Sequence, residues 1–209
     1  MKEILFFGDS LTWGADPATG ARHPFATRLP NVLEAQLGHS VHIVADGLGG
    51  RNTSFDDHSG PCDRNATRTL PVLLGTHQPL DLVIVMLGTN DLKPYICGLA
   101  SGATAGMKRL IQIIRHFPYK SGSIPKILII APPPCTAGPG GVPAQNRSIA
   151  ESEALAPAYR ALAGSEQVAF FDAAKICRAS QIDGVHLSSD DTVKLGKALE
   201  APVRALLWP

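Results

Sequence analysis

A serine placed directly after a short apolar run, where a strand gives way to a helix, is a candidate nucleophile. This chain has one at Ser10, in Gly8-Asp9-Ser10-Leu11-Thr12-Trp13-Gly14. The backbone N–H groups of the turn that follows point the same way as the hydroxyl and carry positive dipole. A serine hydroxyl stays a poor nucleophile until a base takes its proton. His186 is the candidate base, and Asp183 precedes it by three residues in Asp183-Gly184-Val185-His186. That spacing lets the carboxylate hold Nδ1–H and leaves Nε2 for Ser10. Attack on a carbonyl also needs donors for the oxyanion. Three are in view: the Ser10 N–H, the Gly50 N–H, and the side-chain amide of Asn90 in Gly88-Thr89-Asn90-Asp91. Glycine at position 50 lets the backbone approach a substrate closely. Losing one such donor typically costs about 3 kcal/mol of transition-state stabilisation. Trp13 and Arg51 complete the candidate set, as a pocket wall and a substrate contact.

Each residue also has a structural reading. Trp13 could pack in the core, and Arg51 could pair with a carboxylate. Asp9 reads as a helix cap, Asp91 as a loop organiser and Asp56-Asp57-His58 as a solvated loop. His39 and His42 have no third ligand nearby, so no metal and no cofactor are expected. The four cysteines are widely spaced and read as small apolar fillers.

The elements that would position these groups are legible as five apolar runs: Ile4–Phe7, Val41–Ala45, Leu82–Leu87, Ile127–Ala131 and Val168–Phe171. Short runs without alternation predict strands buried on both faces, as in a parallel sheet. Helical patterns fill the gaps. Phe25–Leu37 is one, with Pro30 as a candidate kink. Met107, Leu110, Ile111, Ile114 and Phe117 line one face of a second. Ser148-x-x-Glu151 reads as a capping box for a third, and a last helical segment runs from Ser189. Strand–helix alternation predicts one α/β domain, 1–209, with helices on both faces of a central parallel sheet. Sites in such sheets lie beyond the carboxyl ends of the strands, where the four polar clusters fall. The loops 52–68 and 132–146 follow strand ends and are expected to shape the mouth of the site.

Composition narrows the partners. Nineteen Lys plus Arg against eighteen Asp plus Glu give a net charge of +1, too little basic field for nucleic acid. No apolar run nears the roughly 18 residues of a membrane span. Ile4–Phe7 is too short for a signal-peptide core, so a cytoplasmic location is expected.

The four blocks, Gly-Asp-Ser-Leu at 8–11, the glycines around Gly50, Gly-Thr-Asn-Asp at 88–91 and Asp-x-x-His at 183–186, resemble the SGNH (GDSL-type) hydrolases. Their order spans nearly the whole chain. The stretches 8–14 and 79–91 are most similar to the bacterial arylesterase and acyltransferase branch. The resemblance implies a flavodoxin-like three-layer sandwich with strand order 2-1-3-4-5. It implies Ser10 as nucleophile, His186 as base, Asp183 as its orienter, and Gly50 and Asn90 as oxyanion donors. The expected activity is hydrolysis of short-chain acyl or aryl esters through an acyl-enzyme, with acyl transfer to alcohols as a branch. Carbohydrate acetylesterase, thioesterase and lysophospholipase activities are alternatives on the same site. A flavodoxin-like binding module without catalysis is the alternative of another class. Members of the branch tend to assemble, so a homo-oligomer acting on a small-molecule ester is expected.

Overall fold

The computed structural model describes residues 1–208. Five parallel strands form one sheet: β1 (Lys2–Gly8), β2 (Val41–Gly47), β3 (Leu82–Met86), β4 (Lys126–Ala131) and β5 (Ala169–Asp172). Their spatial order is β2-β1-β3-β4-β5. Chain order reverses between β1 and β3, and ligands of open α/β sheets bind at such a switch point.

Alternation along the strands divides the core in two. Leu5, Phe7, Val83, Val85, Ile127 and Ile129 face one side. There they meet α3 (Ala66–His77), α4 (Ala100–His116) and α5 (Ile149–Glu166). Ile4, Phe6, Leu82, Ile84, Met86, Leu128 and Ile130 face the other. They are covered by α2 (Leu29–Leu37), α6 (Ser189–Ala198) and α7 (Glu200–Leu207). A single-turn helix, α1 (Ser10–Trp13), follows β1. The architecture is the expected three-layer sandwich.

Four local details differ from expectation. The helix expected from Phe25 begins at Leu29, after a 3-10 turn at Phe25–Thr27. Pro30 lies in its first turn, where a missing N–H loses no bond, so it sets the start and makes no kink. Helix α3 was not foreseen, because Pro71 interrupts its pattern. Its buried Ala66, Leu70 and Leu74 still recur every four residues, and Asn65 caps it by accepting from the Thr67 N–H. The capping box at Ser148 is half formed. Ser148 Oγ accepts from the Glu151 N–H at 3.2 Å, but the Glu151 carboxylate accepts from the Ala100 N–H at 2.7 Å. Glu151 thus caps the neighbouring α4 and ties the two helices together. The C-terminal segment is two helices, with Leu199 between them.

Candidate active site

Asp9, the N-cap of α1, accepts from the Leu11 N–H at 2.9 Å, which sets the turn that presents Ser10. Asp9 is buried, and that burial raises its carboxyl above the ordinary range despite the Leu11 bond and nearby cations. Ser10 Oγ lies 2.9 Å from His186 Nε2, and His186 Nδ1 lies 2.5 Å from Asp183 Oδ2. The other carboxylate oxygen accepts from the Val185 and His186 N–H groups, each at 2.9 Å. Partial burial pushes the Asp183 carboxyl up. The bonds from the His186 ring and the two backbone donors outweigh it, and the group stays below its usual range. A charged carboxylate held this way fixes the imidazole so that Nε2 faces the serine.

The Asp–His loop is anchored by its neighbours. Ser180 N donates to the His186 carbonyl, Thr136 N to the Gly184 carbonyl, and Ala144 N to the Asp183 carbonyl. Gly184 has φ of +75°, and a Cβ there would lie 2.2 Å from the Thr136 oxygen, so only glycine fits. The 132–146 loop therefore braces the segment that carries Asp183 and His186. His23, buried, adds a contact from Nε2 to the Leu187 oxygen at 3.1 Å.

Ser10, Gly50, Asn90, Trp13 and His186 line one cleft of about 320 Å³. The N–H groups of Ser10 and Gly50 have no internal acceptor among the described residues. Asn90 is more constrained than expected. Its amide donates to the Arg51 carbonyl at 3.0 Å and to Asp9 Oδ2 at 3.2 Å, and its oxygen accepts from Arg147 Nη2 at 2.8 Å. It reaches the cleft, but an oxyanion would have to share the proton now turned toward Asp9. Asp91 organises the adjacent loop, as expected. Its carboxyl accepts from the Thr53 N–H at 3.0 and 3.1 Å and from the Thr53 hydroxyl at 2.5 Å. Full burial nevertheless pushes it up to about 7.

Arg51 is a correction. Its side chain does not line the cleft. The guanidinium is buried, donates to the Gly8 and Asp46 carbonyls, pairs with the Asp46 carboxylate at 2.6 Å and stacks 4.2 Å over the Phe7 ring. It pins β1 to β2, the carboxylate pairing that sequence left open. Asp57 is a second correction, since it is buried beside the buried Lys93, pairs with the partly exposed Arg64 and is not solvated. Cys62 is a third, being exposed, whereas Cys135 and Cys177 are the buried fillers expected.

Sequence reading missed Arg147, which lines the cleft and donates to Thr89, Ala144 and Asn90 oxygens. It also missed Arg64, Lys93 and Gln145 in the same wall. The one available signal was position, because Arg64 and Gln145 lie inside the two loops expected at the mouth. Gln145 and Asn146 both hold left-handed backbone, φ 58° and 54°, a conformation costly for side chains other than glycine.

Among the described residues no helix is long and apolar enough to cross a membrane. No group of three or more His, Cys, Asp or Glu side chains converges there to hold a metal.

Known proteins resemble the chain over its whole length. The model of the GDSL-like lipase/acylhydrolase family matches residues 6–198. An arylesterase candidate from Agrobacterium tumefaciens strain C58 is 56% identical with a TM-score of 0.98, covering 99% of this chain and 100% of its own. A carbohydrate acetylesterase family member from Sinorhizobium meliloti is 44% identical with a TM-score of 0.95, covering 99% of each chain. The aryl esterase of M. smegmatis is 37% identical with a TM-score of 0.92, covering 99% of this chain and 100% of its own. None of the curated proteins matches.

Proposed function

For this chain, which belongs to the GDSL-like lipase/acylhydrolase family, we propose a serine-esterase mechanism built on Ser10, His186 and Asp183. The protein is a carboxylic ester hydrolase. The observation that carries the residue roles is the unbroken chain from Ser10 Oγ to His186 Nε2 and from His186 Nδ1 to Asp183, at 2.9 and 2.5 Å.

His186 Nε2 takes the Ser10 proton as Oγ attacks the ester carbonyl. The new oxyanion is held by the Ser10 and Gly50 N–H groups, with Asn90 contributing the proton it otherwise turns toward Asp9. The imidazolium, stabilised by Asp183, returns its proton to the leaving alkoxide, and an acyl-Ser10 ester remains. Water repeats the path in reverse, and an alcohol taking its place gives acyl transfer. Trp13 forms one wall of the cleft, with the Arg22 guanidinium 5.2 Å from its ring. A cleft of about 320 Å³ suits short acyl or aryl esters. Acetylated sugars are a second substrate class, favoured by the likeness to the S. meliloti protein.

We place the protein in the cytoplasm, a reading supported by its four free cysteines. Self-association is part of the same proposal, supported by exposed Phe25, Tyr95 and Leu99, and light scattering tests it. The decisive experiment is p-nitrophenyl acetate turnover by the wild type and Ser10→Ala. Loss of about a thousandfold or more supports the nucleophile role. Equal turnover places the reaction elsewhere.

A further inference from the structure

One wall of the cleft is cationic. Arg64, Lys93 and Arg147 all line it, and no Asp or Glu is among its lining residues. Arg64 Nη1 and Lys93 Nζ share one carboxylate oxygen, Asp57 Oδ2, at 3.1 and 3.2 Å. Two positive charges therefore meet one negative charge, and the Lys93 and Asp57 side chains are only 2% and 1% exposed. Burial would raise the Asp57 carboxyl. The Ser59 hydroxyl and N–H and the Lys93 ammonium outweigh it and hold it well below the carboxylate range. Asp57 is thus already charged, and one cation remains in surplus.

The surplus has a location. Arg64 Nε is buried with no hydrogen-bond partner among the described residues. It lies 2.6 Å from where a Cβ on Gly50 would stand, so the guanidinium rests against the proposed oxyanion glycine. Arg147 donates only to neutral oxygens, those of Thr89, Ala144 and Asn90. A buried donor without an acceptor is costly, and a desolvated surplus charge more so. A neutral short ester would leave the surplus charge of the wall uncompensated. A substrate carboxylate in the cleft would offset that charge, through charge-assisted hydrogen bonds to the cleft side of the guanidinium fork.

We propose that the preferred ester carries an anionic group, a carboxylate, that seats on Arg64 and Lys93 while the reacting carbonyl sits at Gly50. This specificity rests on the esterase reading above. The carboxylate could belong to the acyl part or to the alcohol part, and the two are tested separately.

The acyl arm compares monomethyl glutarate with methyl hexanoate. The alcohol arm compares para-acetoxybenzoate with para-acetoxybenzamide. Proton release gives kcat/KM for each, normalised to the uncatalysed rate of the same ester. In the wild type, one arm is expected to favour its anionic ester by about tenfold or more, the usual worth of a charge-assisted hydrogen bond. In Arg64→Gln that ratio falls toward one, and Arg64→Lys restores part of it, since the charge returns without the fork. A wild-type ratio near one in both arms overturns the proposal and leaves the esterase reading intact. A high ratio that survives in a folded Arg64→Gln protein overturns the assignment to this wall. No turnover of any of the four esters overturns the esterase reading, and this proposal with it.

Discussion

Replacing Asp183 by Asn separates its charge from its shape. Asn is isosteric, and its oxygen can still accept from the Val185 and His186 N–H groups that Asp183 holds at 2.9 Å. The loop should therefore keep its path. What is lost is the negative charge at Nδ1 of His186, 2.5 Å away. Two unit charges about 4 Å apart interact by about 4 kcal/mol at an effective dielectric near 20. The Asp183 side chain is 19% exposed, so water screens part of this. A loss of about 3 kcal/mol at the imidazolium is left, or roughly two orders of magnitude in rate. A second effect adds to it. With its oxygen kept on the backbone donors, Asn turns its amide to Nδ1, which must then accept. The ring proton moves to Nε2 and points at Ser10, so the base cannot take the hydroxyl proton. The same exchange in chymotrypsin-type triads costs about ten-thousandfold. We expect kcat/KM for p-nitrophenyl acetate to fall by about a hundredfold to ten-thousandfold, with unchanged circular dichroism. A folded Asp183→Asn enzyme within about tenfold of wild type would refute the role given to this carboxylate.

Three further outcomes follow from the surrounding shell. Arg147→Met removes the donor that holds the Asn90 oxygen at 2.8 Å and should lower kcat by about tenfold to a hundredfold; steady-state kinetics on a folded variant decide it. Gly50→Ala places a Cβ at φ +85°, 2.6 Å from Arg64 Nε. It should lower stability by about 1–2 kcal/mol and depress kcat/KM, read by chemical denaturation and turnover. Asp91 keeps its proton more tightly folded than unfolded, its carboxyl rising from 3.8 to about 7. Its contribution to stability is therefore full below pH 3.8 and is lost as pH rises through about 7, at no more than about 1.4 kcal/mol per pH unit. Asp91→Asn, whose oxygen can still accept from the Thr53 N–H, should flatten that part of the stability curve. Thermal melts at pH 5 and 8 that shift equally in both proteins would sink this assignment.

The sequence by itself determined the sheet and the proposed trio. A strand buried on both faces needs an unbroken apolar run, so all five strands were visible within two residues at either end. Ser10 sits at the end of one such run, and Asp183 and His186 are three residues apart, which are local facts of the chain. That Ser10 and His186, 176 residues apart, meet at one edge follows from strand order once every strand is parallel. Tertiary structure decided the rest. Glu151 had the spacing of a local cap, yet it bonds to Ala100, because packing of α5 on α4 offered a second free helix terminus. Arg51, Arg64, Lys93 and Arg147 carry the same charge in sequence. One became a brace between β1 and β2, and three became the wall of the cleft. A long cation goes wherever folding leaves an acceptor within reach. Arg51 and Arg64 found theirs nearby in the chain, on Asp46 and Asp57, whereas Lys93 reaches Asp57 and Arg147 reaches Asn90 only because the assembled fold brings distant segments together.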